Sequence, residues 1–238
     1  MKTSSIKALK EVAWIGDEYV KHPRGIVLWF HGLGRLEYKF EPTMQELVFA
    51  DAGGLVVHAY YGAWHWMNRQ TRAFIDDLIA SLYKAYKLPK RAPVVITGES
   101  MGGQCGLLYT RYSKHKLAGC AVNCPVCDLE YSMYERGDVA RTIHHAFRGY
   151  KGTLKALLKE HSPVGQVAKF PRIPYHIIHG VKDEGVHIKP HSDQLVPLMR
   201  KRGLDVDYHR VEGMNHCSPM PQAVWQSQTD FVTRLLNA

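Results

Sequence analysis

No apolar run in this chain approaches the roughly 20 residues that a membrane-spanning helix needs. The opening stretch, Met1 to Lys7, carries lysines but no apolar core behind them, so it is not read as a secretory signal. Internal repeats, low-complexity tracts and a linker marking a second domain are also missing. Cysteine is scarce and odd in number: Cys105, Cys120, Cys124, Cys127 and Cys217. Cys120 and Cys124 lie in an apolar, strand-like run, where a buried thiol is the plain reading. Cys124-Pro125-Val126-Cys127 has C-x-x-C spacing but neither a thioredoxin-like context nor a second ligand pair. The thiols are therefore read as reduced and the chain as cytoplasmic, with no metal and no organic cofactor implied. Charge is not scarce, and one sign dominates, at a formal net +9. No nucleic-acid-binding motif accompanies that excess, so it is assigned to solubility. Lys151, Lys155 and Lys159 read as a solvated ladder on one helix, and Arg200-Lys201-Arg202 as a helix-end cluster that the helix dipole favours.

What is present is an ordinary globular composition, 45% hydrophobic and 22% charged, over 238 residues. That length suits one domain with a sizeable core. Strand patterns at residues 25–30, 54–60, 92–97, 117–126, 174–179 and 206–211 alternate with helical ones at 72–87, 104–112 and 221–236. Such alternation predicts an α/β fold with a mostly parallel sheet covered by helices on both faces. Ligands of such sheets bind outside the carboxyl ends of the strands. Residues 128–170 break the rhythm, being too long for a plain crossover. They hold helical patterns near 139–147 and 153–159 and are read as a lid-like insertion within a single domain, 1–238.

The densest signal is Gly98-Glu99-Ser100-Met101-Gly102-Gly103, between a β-branched run and a helix start. This is the G-x-S-x-G pattern, in which glycines permit a turn too sharp for side chains and expose the serine at the sheet edge. A serine hydroxyl needs a base, and the base needs an orienting acid. Among fourteen histidines, His216 is selected by its place in a glycine-containing loop after the last strand. The acid should follow an earlier strand end. Asp183, after Tyr175 to Gly180, is the choice, with Glu184 and Asp128 as alternatives. Oxyanion donors are expected from the Met101 N–H and, in the His31-Gly32-Leu33-Gly34 loop, the Leu33 N–H.

Together these motifs resemble the α/β-hydrolase superfamily over nearly the whole chain, in the order Ser100, Asp183, His216. His179-Gly180-Val181-Lys182-Asp183-Glu184-Gly185-Val186 is similar to the H-G-x-x-D-x-x-V acid loop of prolyl-oligopeptidase-like and dienelactone-hydrolase-like enzymes. A chain of this length has no room for the propeller of large oligopeptidases, and Ser100 stands where dienelactone hydrolases have cysteine. The resemblance therefore implies a small serine carboxylesterase acting on a small-molecule ester through an acyl-enzyme, with no nucleic-acid or membrane-spanning role. The sequence leaves the oligomeric state open. A small peptidase or acylaminoacyl hydrolase is the rival, and a non-catalytic binding protein on the same scaffold is the rival of another class. Tyr61, Trp64 and Trp66 follow a strand end, and Tyr131 and Tyr134 lie in the insertion. These five are the expected pocket walls, an aromatic lining that suits phenolic or bulky acyl esters such as feruloyl esters.

Overall fold

The computed structural model of the protein describes residues 5–35 and 41–238. Its strands are β1 (Ala13–Ile15), β2 (Gly25–Phe30), β3 (Gly54–Ala59), β4 (Val94–Glu99), β5 (Gly119–Asn123), β6 (Tyr175–Gly180) and β7 (Val206–Val211). They form one sheet in the order β1-β3-β2-β4-β5-β6-β7. Every pairing is parallel except that of β1 with β3. The short antiparallel edge was not read from the sequence, because three residues carry too little alternation to register.

Around the sheet lie α1 (Ile6–Lys10), α2 (Met44–Asp51), α3 (Arg69–Ala85), α4 (Met101–Tyr112), α5 (Leu129–Glu135), α6 (Gly137–Ala146), α7 (Leu154–His161), α8 (Pro163–Gln166), α9 (Ser192–Lys201) and α10 (Gln222–Leu236). Strand side chains alternate between two cores, as a doubly covered sheet requires. Ile26, Leu28 and Phe30 join the core of α3, α4 and α9, whereas Val27, Val56, Val95 and Ala121 face Phe231, Val232 and Leu235 of α10. Helix α3 shows how local signals cooperate. The Asn68 side chain caps its first turn by accepting from Thr71 N–H, and Ile75, Leu78, Ile79 and Leu82 return to one face every three or four residues.

Residues 128–170 contain α5 to α8 and a 3₁₀ turn at Val167–Lys169, more helix than the two expected segments. Helices α6 and α7 coincide with those expectations. Lys151 falls before α7, so the lysine ladder reduces to Lys155 and Lys159, both exposed. The segment is anchored to the main body by its own core. Val139, Ile143 and Phe147 are buried, and the Phe147 ring lies 4.2 Å from that of His161.

Candidate active site

Strand β4 runs directly into α4 through Ser100, whose backbone sits at φ +56° and ψ −123°. A side chain rarely adopts that region, and such strain concentrates at working sites. The turn is fixed by Ser100 N–H donating to Asn123 O at 3.0 Å and by Gln104 and Val126 N–H groups donating to Ser100 O at 3.1 and 3.3 Å. Glycine is obligatory beside it: a Cβ on Gly102 would lie 2.0 Å from Phe30 O, and one on Gly98 2.6 Å from Gly102 O. The strand, the elbow and the helix are thus packed backbone to backbone.

The loops after β6 and β7 deliver the other two groups. His216 Nε2 lies 2.9 Å from Ser100 Oγ, and His216 Nδ1 lies 2.8 Å from Asp183 Oδ2. Asp183 is 3% exposed, and its Oδ1 accepts from the Gly185 and Val186 N–H groups at 2.9 and 2.7 Å. Burial opposes its charge, but hydrogen bonds from His179, His216 and the Val186 N–H outweigh that and hold its pKa below the ordinary carboxylate value. Burial likewise opposes a charged His216, while its bonds to Asp183 and Cys217 outweigh this and raise its pKa above the ordinary 6.5. The alternative acids lie elsewhere. Glu184 is exposed and only its N–H is used, donating to Asn215 Oδ1, while Asp128 caps α5 by accepting from the Glu130 and Tyr131 N–H groups.

Sequence reading passed over two supporting histidines. His179 Nε2 donates to Val186 O at 2.8 Å and its Nδ1 accepts from the Ser192 hydroxyl at 2.7 Å, tying down the loop that carries Asp183. His191 Nδ1 accepts from Cys127 and Asp128 N–H groups at 3.1 and 3.2 Å. The His-Gly spacing marked the first, but nothing local marks the second.

A cavity of about 560 Å³ opens onto Ser100 and His216, lined also by Leu33, Trp64, Arg141 and Cys217. Gly32 to Gly34 form one rim and the first turn of α6 the other. Among the described residues, neither the Leu33 nor the Met101 N–H has an acceptor. Of the five aromatics expected as walls, Trp64 alone is among the described lining residues. The structure places the other four as follows. Tyr61 stacks on His31 at 4.6 Å and its hydroxyl accepts from His31 N–H. Trp66 is 1% exposed and donates to Thr142 Oγ1 at 3.0 Å, joining α6 to the body. Tyr131 meets His191 edge-on, and Tyr134 is 86% exposed. It is α6, with Arg136, Asp138 and Arg141, that reaches the cavity, and Arg136 and Asp138 form a pair at 2.6 Å. Among the described residues, two sets have ligand atoms within 4.8 Å of one another: Cys124, His216 and Cys217, and His176, Asp207 and His209. In the first, both His216 ring nitrogens are already engaged. No helix among the described residues is long and apolar enough to cross a membrane.

The sequence pattern of the prolyl oligopeptidase family matches residues 50–238. No curated protein matches the chain. Among solved structures, an acylaminoacyl peptidase from Pyrococcus horikoshii is similar at TM-score 0.76 and 14% identity, over 94% of this chain and 39% of that one. An S-formylglutathione hydrolase from Agrobacterium tumefaciens is similar at TM-score 0.69 and 13% identity, over 94% of this chain and 88% of that one. Esterase B from Lactobacillus rhamnosis gives 0.64 and 16%, over 90% and 78%. This chain spans about two fifths of the acylaminoacyl peptidases it resembles. These likenesses show an α/β-hydrolase fold shared by esterases and peptidases.

Proposed function

We propose that this chain, which belongs to the prolyl oligopeptidase family of serine hydrolases, is a carboxylesterase that works through an acyl-enzyme on Ser100. The observation that carries the reading is the unbroken hydrogen-bonded series Ser100, His216, Asp183 at 2.9 and 2.8 Å, open at its serine end to a cavity. His216 takes the Ser100 proton as Oγ attacks the ester carbonyl, and returns it to the departing alcohol. Asp183 holds the imidazole with its proton on Nδ1 and stabilises the imidazolium. The N–H groups of Leu33 and Met101 receive the oxyanion, Met101 adding the positive end of the α4 dipole. Water, deprotonated by His216, then releases the acid. No metal or organic cofactor takes part in this scheme.

Ester over peptide is favoured by the cavity's charges. Among its described lining residues the one carboxylate, Asp138, is paired with Arg136, and Arg141 beside them leaves the lining cationic, which does not suit a charged amino terminus. Trp64 supplies an apolar wall for a small or aromatic acyl group, feruloyl-type esters included. The 128–170 insertion acts as a lid through the first turn of α6, which sets acyl preference. The cytoplasmic setting read from the cysteines stays part of this proposal. A panel of p-nitrophenyl esters against aminoacyl p-nitroanilides tests it. The proposal expects turnover of short or aromatic esters and none of the anilides, and the reverse ranking would make the chain a peptidase. Failure of a fluorophosphonate to label Ser100 would make it a binding protein on a hydrolase scaffold.

A further inference from the structure

The C-x-x-C spacing of Cys124 and Cys127 turns out not to be a pair. Cys127 is fully buried and its thiol donates to Pro125 O at 3.3 Å. Cys124 instead faces a residue 93 positions away: its Sγ lies 3.1 Å from Cys217 Sγ. Cys124 is buried at the end of β5, its N–H donating to Ile178 O at 2.8 Å. Cys217 is exposed and lines the cavity that opens onto Ser100. Both hold positive φ, +39° and +48°, in a region that favours glycine. Cys217 also adjoins His216, the residue that reaches Ser100.

We propose that Cys124 and Cys217 form a peroxide-sensitive dithiol whose oxidation to a disulfide displaces His216 and switches the site off. The two thiols divide the work by environment. Cys217 is held down to about 5 by its bond with Cys124 and by the His216 beside it, in spite of partial desolvation of its sulfur, so its thiolate is the attacking group. Burial keeps Cys124 protonated and makes it the resolving partner. The Cys217 thiolate attacks one peroxide oxygen, the O–O bond breaks and hydroxide leaves, giving a sulfenic acid, Cys217 S–OH. Cys124 gives its proton to that hydroxide and attacks the sulfenic sulfur. The S–S bond forms, the S–OH bond breaks and hydroxide leaves; it takes from solvent a proton equal to the one Cys217 lost on ionising, and a second water is released. Two thiols have lost two electrons and two protons, and one peroxide has become two waters. A dithiol reductant reverses the change by exchange.

The consequence for the site follows from distance. The sulfurs must close from 3.1 Å to about 2.05 Å. That draws the residue next to His216 about 1 Å toward β5, and a misplacement of this size costs on the order of 10²-fold in rate. The pair is 93 residues apart in sequence, so the link would also join the β5 end to the histidine loop covalently.

The experiment treats the whole protein with hydrogen peroxide and follows three readouts: intact mass with peptide mapping, the rate of fluorophosphonate labelling of Ser100, and recovery with dithiothreitol. Labelling reports on Ser100 whatever acyl substrate the site takes, so failure of the switch is distinct from failure of the esterase reading. Wild type and Cys127→Ser should lose two hydrogens in mass and yield a 124–217 linked peptide. Their labelling should slow by about 10²-fold and recover with dithiothreitol. Cys124→Ser should form no linked peptide, and its Cys217 should instead gain oxygen that dithiothreitol does not fully remove. Cys217→Ser should show neither change, which keeps the test decisive if Cys124→Ser folds poorly. A folded wild type that forms no 124–217 link would overturn the proposal. So would a link that leaves labelling unchanged, or an inactivation reversed by a metal chelator and not by dithiothreitol.

Discussion

Replacing Asp183 with asparagine should cripple the site without removing an atom, and the structure dictates how. One carboxylate oxygen, Oδ1, is held by two backbone donors, Gly185 and Val186 N–H, at 2.9 and 2.7 Å. An asparagine keeps its single acceptor there, so its NH₂ must take the other position, 2.8 Å from His216 Nδ1. Two donors cannot face each other, and Nδ1 must give up its proton. The ring then carries its proton on Nε2, pointing at Ser100 Oγ, and cannot accept another. Wrong-tautomer variants of this kind lose about 10⁴ in kcat in serine proteases, which at about 1.4 kcal/mol per decade is about 5 kcal/mol of transition-state stabilisation. Initial rates of p-nitrophenyl ester hydrolysis, with Tm as a control for folding, measure the loss. Glu184→Gln and Asp128→Asn should stay within about tenfold of wild type, since neither carboxylate is bonded to the imidazole. A nearly normal Asp183→Asn, or a crippled and well-folded Asp128→Asn, would refute the reasoning.

Other expectations follow from the same contacts. Trp64→Ala should change kcat/KM between aromatic and aliphatic esters by about 1–3 kcal/mol with little change in Tm, whereas Trp66→Ala, at 1% exposure, should cost about 3–5 kcal/mol of stability in urea melts. Gly102→Ala should fail to accumulate as folded protein, because its Cβ would meet Phe30 O at 2.0 Å; a soluble variant of wild-type Tm would contradict that packing. Activity needs neutral His216, whose pKa is raised above 6.5, so kcat/KM should rise with pH through a midpoint above that value; Cys217→Ser removes one of the bonds that raise it and should move the midpoint down. Asp183 has a lowered folded-state pKa, so its contribution to stability is present above the unfolded value of 3.8 and is lost as pH falls below it; wild type should lose Tm more steeply than Asp183→Asn below about pH 4.

Much of this frame was legible in the chain because parallel strands buried on both faces write themselves as dense β-branched runs. Gly25 to Phe30 is such a run and coincides with β2 at both ends; the edge strand β7, Val206 to Val211, is only partly buried, yet its expected bounds also coincide. Ser100, Asp183 and His216 were each readable by position, since each follows the carboxyl end of a strand, and the structure brings the three together. The cavity wall was not readable. Helices α5 and α6 both carry apolar and polar faces, and no periodicity says which of two adjacent helices turns its first residues toward a neighbouring loop. Thus Tyr131 and Tyr134 of α5 were expected at a site that Arg136 to Thr142 in fact borders. The Cys124 and Cys217 contact was equally hidden, because the nearer partner in sequence, Cys127, is occupied by Pro125 O.

The central claim is that Ser100 carries the acyl group, and trapping that intermediate tests it most directly. Protein mixed with a p-nitrophenyl ester, quenched in acid during turnover and mapped by peptide mass should carry the acyl group on Ser100, with no adduct in Ser100→Ala. An acyl group found on Cys217, or turnover that persists at the wild-type rate in Ser100→Ala, would contradict the account.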